Sequence, residues 1–423
     1  MLPKGWQTKK LRELVRSADA GVSVNGEDRP AGPSEFGVLR ISSVTEGVFR
    51  PEENKVIRAE ELQRAAVHPQ ADRILVSRSN TEALVGASAY VPFDQPQLFL
   101  PDKLWQLQPN SAHHPHMRWL SYWLAADATR ASLSKLATGT SGSMKNIGKD
   151  QLLALSVPVP PPPEQRRIAE ILSTWDQAIN TTARLLANSR RRTRDLMTSL
   201  LSGRRRFPEM PDKWHYVDFD SIFERVSRKN TTDNTNVLTI SAEYGLISQR
   251  DYFNKSVASA NLAGYTLLHR YDFAYNKSYS AGYPMGAIKP LLAYEGGVVS
   301  SLYLCFKLRE DVDANFDFFR HYFEAGLLNQ EIEGIAQEGA RNHGLLNVSV
   351  TDFFKLQLYV PKGSEQRRIS EVINVARAEE MRFKAQLQCL RHEKAALMSQ
   401  LLTGKRRVKL PETKAEPEPE LQA

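Results

Sequence analysis

Cysteine is nearly absent. Cys305 and Cys389 are the only two in 423 residues. They offer neither metal-ligand spacing nor a disulfide framework, so a reducing cytoplasm is the expected compartment. Long apolar runs are missing as well: nothing approaches the ~18 residues of a spanning helix, and MLPKGWQTKK lacks the pattern of a signal peptide. No membrane partner is therefore expected. Catalytic signatures are also lacking. GTSGSMKN (139–146) is glycine-rich, but its spacing is not that of a GxxxxGK[ST] phosphate loop. The absence of any [DNS]PP[YFW] tetrapeptide excludes amino-methyl transfer. Pro101-Asp102 and Pro211-Asp212 open like a PD…ExK nuclease site, yet no ExK follows at a suitable distance, and each reads as a turn. His113, His114 and His116 have no acidic or cysteine neighbours in sequence and read as a surface loop rather than a metal site. No catalytic residue, metal ligand or cofactor site is expected in this chain.

What the sequence has is a repeat. Residues 164–206 and 365–407 align at an offset of 201 without a gap, identical at 15 of 43 positions. Apolar residues step by threes and fours through Ile168, Leu172, Trp175, Ile179, Leu186, Leu196 and Leu200. In the second copy they run through Ile369, Ile373, Phe383, Leu387, Leu390, Leu397 and Leu401. Such a heptad seam predicts two long helices, apolar at both ends and polar in the middle. Pro163 and Ser364 precede the acids Glu164 and Glu365, as helix starts prefer. Gly203 and Gly404, each followed by three basic residues, mark the stops. One amphipathic rod cannot hide its seam alone. The spacing therefore predicts two rods packed as an antiparallel coiled coil, with the halves of the chain related by a pseudo-twofold axis.

Between the rods the sequence alternates short β-like runs with a late helix. In the first body, FGVLRI (36–41), DRILVS (72–77) and GASAYV (86–91) read as strands and 117–137 as one helix. In the second body, 237–241, 272–276, 286–292 and 296–308 read as strands and 315–336 as one helix. The fold class is thus α+β. Domains are expected at 1–160 and 207–362 (strand-rich bodies) and at 161–206 and 363–407 (helical spacers), with a disordered acidic tail at 408–423.

The net charge of +8 is uneven: the two repeats carry +6 and +5 and the remainder −3. A basic balance suits nucleic acid, and equally a solvated helix face. Polar loops at comparable places in the two bodies combine hydrogen-bonding and basic side chains of the types that contact DNA. These are Ser77, Arg78, Ser79 and Asn80 with Thr140, Ser141, Lys145 and Asn146 in the first body. In the second they are Asn276, Lys277, Ser278 and Tyr279 with Arg341 and Asn342. Arg and Lys pair with guanine, Asn with adenine, and hydroxyls with phosphate.

The order of these parts resembles the specificity subunit of type I restriction-modification systems. The resemblance rests on the lead-ins VPVPPPPEQRRI and LYVPKGSEQRRI and the endings LLSGRRR and LLTGKRR. RISSVTEGVF, ILVSRSN, GTSGSMKNI, YNKSYSAGYPMG and GGVVSSLY also resemble its target-recognition domains. It implies a non-catalytic chain that reads a split, asymmetric double-stranded DNA target, the first body the 5′ half and the second the 3′ half. It implies rods that set the gap and dock two methyltransferase subunits, which carry S-adenosylmethionine and methylate adenine N6. Two added motor-nuclease subunits, with ATP and Mg, would make an endonuclease. A helical scaffold or a stand-alone DNA-binding protein is the alternative, and a self-sufficient enzyme a third reading.

Overall fold

The computed structural model describes residues 2–139, 144–241, 244–253, 261–279, 282–336 and 346–410. The chain forms two compact units: Met1–Thr182 with Gln386–Ala423, and Ala183–Ala385. Both rods are single helices, Pro162–Leu200 and Gly363–Leu401. Each rod gives one half to the first unit and the other half to the second.

In the first unit the central sheet is antiparallel and four-stranded, in the order Val15–Ala20, Leu104–Pro109, Arg73–Ser77, Ser88–Val91. Alternation along the strand splits its side chains between two cores. Ile74 and Val76 join Trp119, Leu120 and Leu124 of the helix Met117–Ala125, whereas Leu75 joins Leu39, Val44 and Val91 on the other face. A second, mixed sheet (Gly26–Glu27, Asn54–Ile57, Gly37–Leu39, Leu98–Phe99) lies beyond that face. The ladder of Gln7–Lys10 with Ser156–Val159 ties the beginning of the body to its end, Gln7 opposite Val159.

The second unit repeats this frame. Its sheet runs Phe223–Arg225, Leu304–Leu308, Phe273–Asn276, Ala287–Pro290, and the ladder His215–Asp218 with Gln357–Val360 sets His215 opposite Val360. The filling differs. Phenylalanines replace Trp and Leu, with Phe219 and Phe223 stacked at 4.6 Å and Phe273 on Phe306 at 5.3 Å. The mixed sheet gives way to a hairpin, Leu238–Ser241 with Gly245–Ser248, and a pair, Thr266–His269 with Gly296–Val299.

Three expected elements are broken. The helix over 117–137 is two, Met117–Ala125 and Asp127–Leu136, because Ala126 is extended (ψ 141°). The turn lets Arg130 donate to the carbonyls of Val85 and Ala83, at 2.6 and 3.1 Å. The helix over 315–336 stops at Glu324 and resumes at Asn329. Gly326 between them takes φ +70°, which glycine adopts without strain. The strand over 296–308 is likewise two, Gly296–Val299 and Leu304–Leu308. Both rods end at Leu200 and Leu401, so the last residues of each expected spacer are a turn. Residues 411–423 of the tail lie outside the described residues.

The rods pair antiparallel within each unit. In the first, Lys394 meets Asp176 at 2.6 Å and Arg407 meets Glu164. In the second, Arg190 meets Glu380 at 3.2 Å and Arg206 meets Glu365 at 2.6 Å. The index falls on one rod as it rises on the other. The seam matches the stepping: Ile168, Leu172, Leu186, Leu200, Ile369, Ile373, Leu387 and Leu401 are buried. Trp175, Ile179, Leu196, Phe383, Leu390 and Leu397 are half-buried, and the polar middle buries Thr182, Ser189 and Thr193.

The identical residues off the seam have structural work. Gln165 spans the body-to-rod junction, donating to the Pro160 carbonyl (2.9 Å) and accepting from the His116 N–H (3.0 Å). Gln366 does the same with Pro361 (2.9 Å) and the Asn315 N–H (2.8 Å). Gly203 and Gly404 sit at φ +71° and +73°; a Cβ there would stand 3.3 Å from the Trp214 ring and 2.4 Å from Pro3. The tryptophan that opens each body thus abuts a rod's end. Trp6 also donates to Glu164 (3.2 Å).

Glu164 is 3% exposed and holds both Trp6 and Arg407. Replacing Arg407 leaves its carboxylate buried without a cation. Arg407→Ala should cost about 2 kcal/mol, because one partner of a buried pair is removed while the other stays. Denaturant unfolding should show Arg406→Ala, one residue away and exposed, within ~0.5 kcal/mol of the parent. Equal effects of the two substitutions would refute the anchoring role.

Candidate nucleic-acid interface

In both units the strand that carries the polar loop runs out against a second loop far away in sequence. In the first, Arg73–Ser77 continues into Ser79–Asn80, which pairs with Lys145–Asn146 (Lys145 opposite Asn80, Asn146 opposite Ser79). The Ile147 N–H donates to the Arg78 carbonyl at 2.9 Å. Thr138 and Asn146 exchange backbone hydrogen bonds of 2.9 and 2.8 Å and close the base of the second loop. In the second unit, Phe273–Asn276 leads to Lys277, whose carbonyl accepts from the Leu346 N–H at 2.9 Å. Its ammonium reaches the Val348 carbonyl at 3.5 Å. Each body therefore presents one composite edge built from two chain segments.

The expected side chains are placed unequally. Ser77 and Ser79 are 0% and 3% exposed, and the Ser77 hydroxyl donates to the Ser79 carbonyl (3.3 Å). Neither can touch a duplex; both stiffen the loop from within, and they leave the candidate set for that reason. Arg78 is held back by Asp102, whose carbonyl accepts from its Nε at 2.7 Å. This is also what the Pro101-Asp102 turn does. Asn80 accepts from the Thr81 N–H (2.8 Å), and Asn276 from the Ser278 N–H (3.1 Å), both within their own turns. Lys145 is half-exposed and donates to the Gly139 carbonyl (3.1 Å), while Asn146 is fully at the surface. Tyr279, 65% exposed, offers a stacking ring and a hydroxyl. Thr140, Ser141, Arg341 and Asn342 lie outside the described residues.

A second set of residues, not anticipated from sequence, joins each body helix to its rod. In the first unit Arg118 donates to the Ser173 hydroxyl (2.9 Å) and lies 4.6 Å from the Tyr90 ring. Tyr122 donates to Asp176 (2.6 Å), which Lys394 also meets. Burial and the neighbouring carboxylate push the Tyr122 phenol up, so it stays a donor. In the second unit Asn374, 201 residues after Ser173, accepts from Arg320 (2.9 Å), pairs with His321 (2.7 Å) and donates to Asp317 (2.9 Å). Arg320 and His321 border a cleft of about 340 Å³ that also includes Lys289, Glu324 and Arg377. The signal was present in the repeat spacing, since positions 173 and 374 match, but residue identity hides it. His116 has a related structural use: it accepts from the Trp119 N–H (3.3 Å) and begins that helix.

Burial lowers His321 to about 4, aided by Arg320 and Arg377 and opposed by its bond to Asn374. The unfolded chain, near 6.5, takes the proton first as pH falls. The contribution is therefore complete above pH ~6.5 and is lost towards pH ~4. Between pH 7 and 5 the second unit should lose about 2 kcal/mol through this group. His321→Gln should flatten that part of the profile; an unchanged slope would remove His321 as its source.

Residues 3–188 match the family described as the type I restriction modification DNA specificity domain. The type I restriction enzyme EcoEI specificity subunit of Escherichia coli is 26% identical over 176 residues, 41% of this chain and 29% of that protein. The chain thus covers under a third of the length of that curated relative. The fold is shared more widely. The S subunit of a type I restriction-modification system from M. genitalium superposes with a TM-score of 0.58 at 15% identity, covering 95% of this chain and 99% of the other. A chain solved in work on complex assembly and conformational transition of the type I R-M system gives 0.54 at 15% identity, over 96% and 100%. This chain thus resembles the type I restriction-modification specificity family in sequence over residues 3–188 and shares the fold of its solved S subunits over nearly its whole length.

Proposed function

We propose that this chain is the DNA-recognition subunit of a type I restriction-modification complex and reads a bipartite, asymmetric target, one half-site per body. The observation that carries the reading is the duplication of the edge. Two bodies share one four-stranded frame, each ends its loop-bearing strand against a second polar loop, and each is followed by the same rod. Arg78, Asn80, Lys145 and Asn146 serve the 5′ half, and Asn276, Lys277, Ser278 and Tyr279 the 3′ half, as hydrogen-bonding and stacking groups. Thr140, Ser141, Arg341 and Asn342 complete the two sets.

The chain is the non-catalytic member of its complex. Two methyltransferase subunits dock on it, carry S-adenosylmethionine and modify adenine N6; two motor-nuclease subunits with ATP and Mg add restriction, in the cytoplasm. The rods set the unspecified gap. Spacers at 161–206 and 363–407 and recognition domains at 1–160 and 207–362 are the working parts.

The deciding experiment is a methylation map. The chain is co-expressed with a methyltransferase subunit in a methylation-free host, and modified adenines are located by single-molecule sequencing. A split motif of fixed gap that vanishes when this chain is omitted is the expected result. No new methylation from an assembled complex would leave a scaffold. The ruler is tested separately by adding four residues to both rods, about 6 Å of helix. The gap should lengthen by roughly two base pairs at ~3.4 Å each, with both half-sites unchanged. An unchanged gap would reject the ruler.

A further inference from the structure

The positive charge of the rods is lopsided. Residues 183–206, the part of the first rod and its terminal turn in the second unit, contain eight arginines and one acid, Asp195. Three of those arginines are accounted for: Arg190 by Glu380, Arg192 by Glu379 and Arg206 by Glu365. Among the described residues no carboxylate pairs with Arg184, Arg191, Arg194 or Arg205, all of them exposed. At 100° per residue, Arg184, Arg191 and Arg194 fall within about 80° of one another, on the side away from the Leu186, Ser189, Thr193 seam. Arg191 and Arg205 also border a groove of about 480 Å³, together with Asn188, Ser199 and the carboxylates of Asp195 and Glu379. Glu379 is already taken by Arg192 and Ser189.

The corresponding face of the second rod is not basic. At the 201-residue offset Arg184, Arg191 and Arg194 become Ala385, His392 and Ala395. A face needed only for solubility would carry mixed charge on both rods. This one carries three arginines against a single acid, Asp195, with Asn188, Ala187 and Thr198 between. Protein-docking faces concentrate buried aromatic or aliphatic anchors, which this stripe lacks. Phosphate contacts use arginine forks and small polar side chains. Arg184 and Arg191 stand two turns apart, about 10 Å, or roughly three phosphate steps of a duplex strand.

We propose that the Arg184–Arg191–Arg194 face is a phosphate-contact surface for double-stranded DNA, and that it holds the backbone of the unspecified gap on the second body's side only. The inference rests on the recognition-subunit reading for the identity of that DNA. It adds a sequence-independent contact made by a rod rather than by a recognition loop.

The test uses the full chain co-purified with a methyltransferase subunit, with affinity measured against salt on two probes: the mapped target duplex and a random-sequence duplex of equal length. Arg184→Ala/Arg191→Ala/Arg194→Ala should flatten the slope of log K against log salt by about 2.7 on both probes, roughly 0.9 for each phosphate that is no longer neutralised. The preference for target over random duplex should not change. The triple lysine variant should restore most of the slope, which separates charge from folding, and His392→Ala on the second rod should leave it unaltered. An unchanged slope in the triple alanine variant would overturn the proposal. So would loss of methyltransferase co-purification with the random-duplex slope intact, which would assign the face to an acidic protein partner. Failure of the recognition reading shows elsewhere, as a wild-type complex with no preference for the target, and the random-duplex slope still decides the proposal.

Discussion

The buried glutamate at the start of each rod is the constraint on which the rest of the fold turns. Glu164 and Glu365 are 3% and 2% exposed, and each meets the terminal arginine of the opposite rod, Arg407 and Arg206. A carboxylate removed from water is tolerated only with a cation and well-directed hydrogen bonds. That demand fixes which end of one helix lies beside which end of the other. An apolar seam alone would accept a shift by one heptad; the glutamate–arginine pair does not. The adjacent glutamine closes the body onto the rod, so the pairing register and the junction are set by two consecutive residues, Glu-Gln, together with the arginine beyond the end of the other rod.

Hydrophobic burial then does the bulk work. The core of the first unit runs without a break from the body helix, through Trp119 and Leu120, into Ile168 and Leu172 of one rod and Leu401 and Leu402 of the other. The second unit does the same with Phe318, Phe319, Ile369, Ile373, Met197 and Leu200. The rods are therefore parts of two cores as well as connectors. A body is complete only with the beginning of the rod that follows it and the end of the other rod. For the first unit that means closing a chain separation of 243 residues between Glu164 and Arg407. Such closure costs entropy that grows only slowly with length, so stability tolerates it while folding speed does not.

Much of this was legible in the sequence because periodicity is a local property. The seam, the glycine stops and the duplicated lead-in were all readable from spacing. Trp6 and Trp214 each stand immediately before the first strand of a ladder. The broken helices were not readable. Nothing near Ala126 signals an end; the break sets Arg130 against the carbonyls of Val85 and Ala83, more than 40 residues away in sequence. For the loops, pattern reading misjudged the exposure of some side chains. Ser77 and Ser79 look like surface residues by type, yet they sit where a strand pairs with a loop about 65 residues on, and that pairing buries them. Side-chain burial at such an edge depends on a partner that local sequence does not name.

The two bodies share a frame and differ in what covers it, and this separation limits which exchanges of a body the fold can accept. The frame residues touch the rods: Trp214 lies against Gly203, and the Asn315 N–H is held by Gln366. The hairpin of the second body comes near the rod by another route, Gly245 and Leu246 bordering the same cleft as Arg377. A graft that carries a foreign covering sheet and loop pair while keeping the ladder, the tryptophan and the helix cap retains both of these frame contacts. A graft cut inside the ladder breaks the His215–Val360 register and leaves the buried Glu-Gln pair without a body to close on. The folding of an exchanged body on an old rod should therefore depend on where the cut falls relative to the two-stranded ladder more than on how similar the exchanged bodies are.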